Sequence, residues 1–298
     1  MTINGVLPAL LTAYDHDGAV SVERTRSLVG RLNEAGVDGY FVTGTSGEYY
    51  LLSVQERLQI LETVADVANG REVVFQVAHS DQRAVRELAR RAADGGATAI
   101  SASIPIYYGY GDDSLAAYFR DVRASSDLPL LGYTIPASTG RTLGADLICD
   151  LAAEGVLDGL KYTSSDLAVL ARIRARVRDD FSILIGSDEL LVAALSQGAD
   201  GAIGATFNLA PKLYTELYRA VGAGDLTEAR RLQEIAVGML DALAGGGETF
   251  PALKSAMRSR GVDVGQARFP MAQHDGEDDA RVAAALAEVD GLPEHLID

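Results

Sequence analysis

The sequence predicts a (β/α)8 barrel with a C-terminal helical extension. Four times a helical pattern ends in glycine and passes into a short apolar run, at Gly36, Gly96, Gly155 and Gly198. The intervals between these glycines are 60, 59 and 43 residues. One strand–helix unit takes about 30 residues, so the longer intervals hold two units each. Strand-like runs also occur in the gaps. Eight alternating strands and helices by about residue 218 indicate a closed barrel.

In chain order, the strands are expected at Gly5–Thr12, Gly36–Val42, Glu72–Ala78, Gly96–Ala102, Leu128–Tyr133, Gly155–Lys161, Phe181–Ile185 and Gly198–Gly204. Most are short continuous apolar runs, as buried parallel strands require. A glycine ahead of a strand suits the left-handed exit of a preceding helix. Ser21 followed by Glu23 and Arg24, and Ser53 with Glu56, read as capping boxes, and Ser187-Asp188-Glu189 can open a further helix. A doubly wound open sheet is the alternative. It would carry a glycine-rich dinucleotide loop after the first strand, and Leu11-Thr12-Ala13-Tyr14 is no such loop. After Pro211 the pattern is helical at Lys212–Gly222, Leu226–Leu243, Glu248–Arg260 and Asp278–Glu288, broken by Gly245-Gly246-Gly247. The expected division is a catalytic barrel over 1–218 and a helical extension over 219–298, packed on the barrel or on a neighbouring subunit.

The chain has 298 residues, 48% hydrophobic, with 31 glycines and 8 prolines, an ordinary globular composition. Lys plus Arg number 26 against 42 Asp plus Glu, a formal net charge of −16. Such a surface repels phosphate backbones and anionic headgroups, which argues against nucleic acid or membrane as partner. It offers no long-range attraction to an acid, so an anionic substrate would need local donors. Cys149 is the single cysteine, which excludes an internal disulfide and fits a reducing, cytoplasmic setting. The apolar stretch Val6–Leu11 is short and interrupted by Pro8, and reads as neither signal peptide nor transmembrane span. The four histidines are scattered without metal-ligand spacing, so no metal site is expected.

In a barrel, chemistry gathers where strands end at the C-terminal face. The most informative residue there is Lys161, which closes an otherwise interior run. Such a lysine either snorkels to solvent, pairs with a carboxylate, or is functional. Desolvated, it becomes a free amine near neutral pH and attacks carbonyls to form a Schiff base. Tyr133 ends the adjacent strand and can relay protons between a carbinolamine and a substrate hydroxyl; the alternative is a core aromatic. Thr45 and Ser46, bracketed by Gly44 and Gly47, present hydroxyls and backbone N–H groups at the start of a helix, where a carboxylate can be cradled. That loop lacks the lysine and length of a nucleotide-binding P-loop.

Taken together, Gly44-Thr45-Ser46-Gly47-Glu48, Tyr133-Thr134-Ile135-Pro136, Gly159-Leu160-Lys161-Tyr162-Thr163 through Asp166, and Gly198 through Ala205 resemble the dihydrodipicolinate synthase / N-acetylneuraminate lyase family. The likeness runs in order over nearly the whole chain. It implies a class I, Schiff-base pyruvate aldolase on a (β/α)8 barrel with C-terminal helices, working as a homotetramer without metal or other cofactor. It implies that Lys161 forms the imine with a 2-oxo acid, that Tyr133 is the proton relay, and that Thr45 and Ser46 hold the carboxylate. Tyr107 falls where the synthase branch has a tyrosine reaching in from a neighbouring subunit; Tyr108 and Tyr110 compete for that role.

The lyase branch is the nearer likeness. Synthases carry an arginine shortly after the Tyr-Asn-x-Pro segment, whereas this chain continues Pro136-Ala137-Ser138-Thr139-Gly140. Gly186-Ser187-Asp188-Glu189 is similar to the element with which lyases bind a sugar chain, so Thr163, Gly186, Asp188 and Glu189 are assigned to substrate. For Asp188 and Glu189 the alternative is helix capping. Thr134 replaces the usual Asn, and Ala205 stands where lyases place a serine. The implied reaction joins or cleaves pyruvate and an aldehyde, with N-acetylneuraminate-type cleavage foremost. Action on another 2-oxo-3-deoxy sugar acid as aldolase or dehydratase, or 4-hydroxy-tetrahydrodipicolinate synthesis, is the alternative.

Overall fold

The computed structural model describes residues 2–297. Eight strands form one parallel sheet: β1 (Gly5–Pro8), β2 (Gly39–Val42), β3 (Glu72–Gln76), β4 (Ala99–Ser103), β5 (Leu130–Thr134), β6 (Gly159–Tyr162), β7 (Ser182–Ile185) and β8 (Gly201–Gly204). Their order is β1-β8-β7-β6-β5-β4-β3-β2. The ring closes through a parallel bridge between Ala9 and Phe41, where the Leu10 N–H donates to the Phe41 carbonyl at 2.9 Å. Around it lie α1 (Val22–Glu34), α2 (Val54–Val67), α3 (Gln82–Arg91), α4 (Asp112–Arg123), the single turn α5 (Pro136–Thr139), α6 (Ala145–Ala153), α7 (Leu167–Arg174), α8 (Leu191–Ser196) and α9 (Pro211–Gly222). The chain is thus the expected (β/α)8 barrel. α9 runs through residue 218, and α10 (Leu226–Ala244), α11 (Thr249–Ser259) and α12 (Gly276–Ala287) follow it. Among the described residues, no helix is long and apolar enough to cross a membrane.

Alternation along the strands sorts side chains into two cores. Val6, Tyr40, Val42, Phe75, Ile100, Leu130, Leu160 and Tyr162 face the helices. Leu7, Phe41, Val74, Ala99, Leu131, Tyr133, Leu184 and Ile203 fill the barrel interior. Each fully buried large apolar side chain is worth about 1.5–3 kcal/mol, so both layers hold the strands in register. That register places Tyr133, Lys161 and Leu184 side by side on β5, β6 and β7.

The glycines at 36, 96, 155 and 198 all adopt positive φ, between 72° and 92°, as the helix-exit reading requires. Most strands are shorter than expected or shifted by a few residues, and at three of their ends the cause is local. β1 stops at Pro8, after which the chain turns to meet the C-terminal segment and the Tyr14 N–H donates to the Val264 carbonyl. β3 stops at Gln76, whose own Oε1 takes the Ala78 N–H at 2.6 Å in place of a ladder bond. β5 starts at Leu130 because Pro129 has no N–H to donate.

Ser53 and Glu56 form the expected capping box. Ser21 does not. Glu23 is the second helical residue, one short of the position that reaches back, and the Ser21 side chain makes no cap bond. Ser187 likewise makes no cap bond, and only the three-residue 3-10 turn Asp188–Leu190 precedes α8.

Candidate active site

Lys161 points into the barrel between two apolar neighbours in sequence that point out. It is 3% exposed. Its Nζ lies 4.0 Å from the Phe41 ring centroid and 4.4 Å from that of Tyr133. Burial removes water from the ammonium and lowers the pKa to about 7, against the opposing pull of Asp188. The snorkelling alternative is therefore excluded: the amine is enclosed, and close to half neutral at pH 7.

Tyr133 packs edge-on against Phe41, centroids 5.7 Å apart at 81°. Its hydroxyl lies 3.2 Å from Thr45 Oγ1. Burial pushes its pKa up to about 12, with the Thr45 hydroxyl working against burial. It is a neutral phenol at working pH, able to give a proton and take it back.

Thr45 and Ser46 sit in a tight turn after β2. Both ends of that turn, Thr43 (φ 53°) and Glu48 (φ 60°), are left-handed without being glycine. The Glu48 N–H closes the turn on the Thr45 carbonyl at 3.0 Å, and Thr12 Oγ1 donates to the Gly47 carbonyl at 2.6 Å. A side chain at Gly44 would collide with the Phe41 ring. The helix that follows is only the three-residue 3-10 turn Tyr49–Leu51, so an anion at this turn would meet the turn's own hydroxyls and N–H groups, not a helix N-terminus.

Asp188 is buried, and its Oδ2 accepts both the Thr206 N–H (2.9 Å) and the Thr206 hydroxyl (2.6 Å). The Thr206 hydroxyl in turn lies 2.6 Å from Tyr214 Oη. Gln233 Nε2 donates to the Asp188 carbonyl at 3.1 Å, fixing its backbone. Burial raises the Asp188 pKa to about 6 despite the Thr206 bonds. Capping does not account for Asp188, since its carboxylate faces β8 and not the N-terminus of α8. Glu189 is exposed at the rim. Gly186 has a steric reason: a Cβ there would overlap Thr163 Oγ1 and come within 3.2 Å of Lys161 Cε. Thr163 Oγ1 itself is buried without a hydrogen-bond partner.

Thr45, Ser46, Tyr133, Lys161, Thr163, Gly186, Asp188 and Glu189 line one cavity of about 200 Å³. The fold brings these eight together from β2, β5, β6 and β7. Tyr107 is not among them. It is 92% exposed, with φ 84°, and stands with Tyr108 and Tyr110 around a separate cleft beside Arg141. Sequence reasoning missed Leu240 of α10 and Phe250 of α11, which close the cavity from the C-terminal helices, and Ile135, which follows β5. The only signal for Phe250 was its place just after the Gly245–Gly247 break. The Thr206–Tyr214 support of Asp188 left no sequence signal.

A larger cavity of about 520 Å³ lies between the β1–α1 loop and the C-terminal segment. Its three arginines are committed: Arg24 to Asp263 at 2.8 Å, Arg258 to Asp279 at 2.5 Å and Arg268 to Glu56 at 2.6 Å. Among the described residues, no group of three or more His, Cys, Asp or Glu side chains could hold a metal ion.

A family model described as the dihydrodipicolinate synthetase family matches residues 2–289. N-acetylneuraminate lyase of Lactiplantibacillus plantarum is 37% identical over 279 residues, covering 93% of this chain and 94% of the relative. N-acetylneuraminate lyase of Rhizobium meliloti is 35% identical over 292 residues, covering 97% and 96%. Among solved structures, a catalytic-lysine mutant of Ruminococcus gnavus sialic acid aldolase superposes with a TM-score of 0.93 at 28% identity, covering 99% of each chain.

Proposed function

Because the chain belongs to the dihydrodipicolinate synthetase family, we propose that it is a carbon–carbon lyase of the class I, Schiff-base type, cleaving or forming a 2-oxo acid from pyruvate and an aldehyde, with an N-acetylneuraminate-type sugar acid as substrate. The single observation that carries this reading is the enclosed Lys161 amine, set over the Tyr133 ring in one cavity.

The geometry supports the following chemistry. The Thr45–Ser46 turn holds the substrate carboxylate. The neutral Lys161 amine adds to the 2-oxo carbon, giving a carbinolamine. Tyr133 donates its proton as the hydroxyl leaves as water, and a protonated imine and a phenolate remain. The phenolate takes the proton of the C4 hydroxyl while the C3–C4 electron pair flows into the iminium, releasing the aldehyde and leaving an enamine. Protonation at C3 restores the iminium, and water hydrolyses it to pyruvate and free lysine. Water is released once and consumed once, so the balance is one 2-oxo-4-hydroxy acid to pyruvate plus aldehyde. The iminium is the electron sink, and the steps need no other cofactor.

Asp188 and Glu189 favour a polyhydroxylated aldehyde half over an anionic one. No arginine lines the cavity, and Arg141 is paired with Asp112 at 2.5 Å beside the tyrosine cleft. A second substrate bearing a carboxylate, as in 4-hydroxy-tetrahydrodipicolinate synthesis, would meet acid where it needs base. Tyr107, turned fully outward on its own chain, is assigned to the site of a neighbouring copy in a homotetramer. The buried free Cys149 fits a cytoplasmic setting.

The test is borohydride reduction in the presence of pyruvate, followed by peptide mass mapping. A reduced adduct on the Lys161 peptide is the expected result; no adduct, or one on another lysine, overturns the assignment. Product analysis on sialic and 3-deoxy-2-oxo acids then separates cleavage, which yields pyruvate and an aldehyde, from dehydration, which keeps the carbon count.

A further inference from the structure

We propose that Glu48 and Lys254 are positioning residues, a buried ion pair through which the C-terminal helices set the turn that carries Thr45 and Ser46. The proposal rests on the assignment of that turn to the 2-oxo acid. Neither side chain lines the cavity around Lys161, so neither is a catalytic residue.

Lys254 lies on α11, the helix that also places Phe250 over the cavity. Its Nζ is 2.6 Å from Glu48 Oε1, and both side chains are 0% exposed. The same Nζ donates to the Gln266 carbonyl at 3.0 Å and sits 4.3 Å from the Tyr14 ring centroid, so its position is fixed from three directions. The other Glu48 oxygen accepts the backbone N–H of Arg268 at 2.8 Å. The C-terminal segment therefore grips both oxygens of a single carboxylate.

That carboxylate belongs to a residue with left-handed backbone, which a non-glycine residue keeps only where its surroundings impose it. The Glu48 N–H closes the turn on the Thr45 carbonyl, and Thr45 Oγ1 touches Tyr133 Oη. From Lys254 to the proton relay is thus a chain of direct contacts: ion pair, turn, hydroxyl. A buried ion pair is a weak source of net stability, because two apolar side chains would do as well; what it supplies is a fixed geometry. Here the geometry it fixes is that of the carboxylate cradle. It also gives α11 a role in the chemistry besides covering the mouth.

The experiment compares wild type with Glu48→Asp, which keeps the charge but shortens the arm, with Lys254→Met, and with the double variant Glu48→Gln/Lys254→Met, which removes both charges so that neither is left buried alone. Two readouts are taken on folded protein. Hydrogen exchange of the amides of residues 43–48 should speed up roughly tenfold or more in every variant, with the β5 and β6 amides unchanged. Borohydride trapping against pyruvate concentration should show half-saturation raised by roughly tenfold, with the limiting rate within about threefold of wild type, since a displaced carboxylate site weakens binding before it alters the amine. Wild-type exchange in the turn of the double variant and Glu48→Asp, or wild-type half-saturation, overturns the proposal. If wild type itself traps no pyruvate, the Schiff-base assignment fails on its own, and the exchange measurement still decides whether the pair holds the turn.

Discussion

Replacing Lys161 by Met should make the protein more stable, and by an amount that depends on pH. Folding moves this lysine from water into the barrel, and its pKa falls from 10.5 to about 7. Each tenfold change in proton affinity is worth about 1.4 kcal/mol, so the full cost to the fold is about 5 kcal/mol. The sign follows from proton counting. Above pH 10.5 the amine is neutral in both states and nothing is lost. As pH falls, the unfolded chain takes up the proton and the folded chain does not, so stability declines until about pH 7, below which both are charged and the cost is complete. The ring faces of Phe41 and Tyr133 favour the ammonium by at most about 2 kcal/mol, which leaves at least about 3. Met fills similar volume and does not titrate. Its advantage over wild type should therefore be about 3–4 kcal/mol at pH 7.5 and about 1.4 at pH 9.5, the gap closing by about 1.5–2.5 kcal/mol. The assay is urea unfolding of both proteins at the two pH values and equal chain concentration, which holds any linkage to assembly fixed. Unfolding curves whose separation is the same at both pH values, or a wild type more stable than the variant at pH 7.5, would refute the claim that this amine is desolvated.

The rate of pyruvate adduct formation should rise about tenfold per pH unit below about 7 and level off well short of the ordinary lysine value of 10.5, because only the neutral amine attacks; a rise continuing towards pH 10 would mean an ordinary exposed lysine. Tyr133→Phe keeps the edge-on contact with Phe41 and should lose about 10²–10⁴-fold in turnover of a 2-oxo sugar acid; near-normal turnover would remove the tyrosine from the mechanism. Gly186→Ala drives a methyl group into Thr163 Oγ1 and against Lys161, and should cut adduct formation by about a hundredfold with the melting temperature little changed; an active variant would mean that the cavity has more room than the structure allows. Mixed oligomers of Lys161→Met and Tyr107→Phe chains should recover activity that neither parent has, measured after co-refolding; none recovered would leave Tyr107 outside the site.

Much of this was legible because the barrel repeats itself. Glycine exits and apolar runs at regular spacing are local signals, and they located all eight strands to within a few residues. The strand ends shifted where a proline or a side-chain acceptor replaced a ladder bond, as at Pro129 and Gln76, which periodicity does not register. Lys161 and Tyr133 were legible because a polar residue in an interior run is an anomaly. Phe250, Leu240 and Thr206 were not, because an aromatic, a leucine or a threonine on a helix or loop is ordinary, and only tertiary contact gives it a role. The Ser21 box failed by a single residue of spacing, and Asp188 bonds across to the β8 loop, a partner 18 positions away that no local rule anticipates.

Asp188 shows how the site reconciles two needs that pull against each other. A carboxylate near Lys161 holds its proton on, and imine formation requires the proton off. The fold meets both by binding Asp188 Oδ2 twice to Thr206, whose hydroxyl is itself within hydrogen-bonding reach of Tyr214. The negative charge is thereby turned towards β8, and its pull on Lys161 is outweighed by burial. Those bonds also oppose the effect of burial on Asp188 itself, so that it is mainly ionised at pH 7 and able to accept a hydrogen bond from a substrate hydroxyl. A carboxylate in that cavity without Thr206 would either take up a proton and lose its acceptor, or turn to Lys161 and hold the amine charged; the first would cost the hydrogen bond to a substrate hydroxyl, the second the nucleophile.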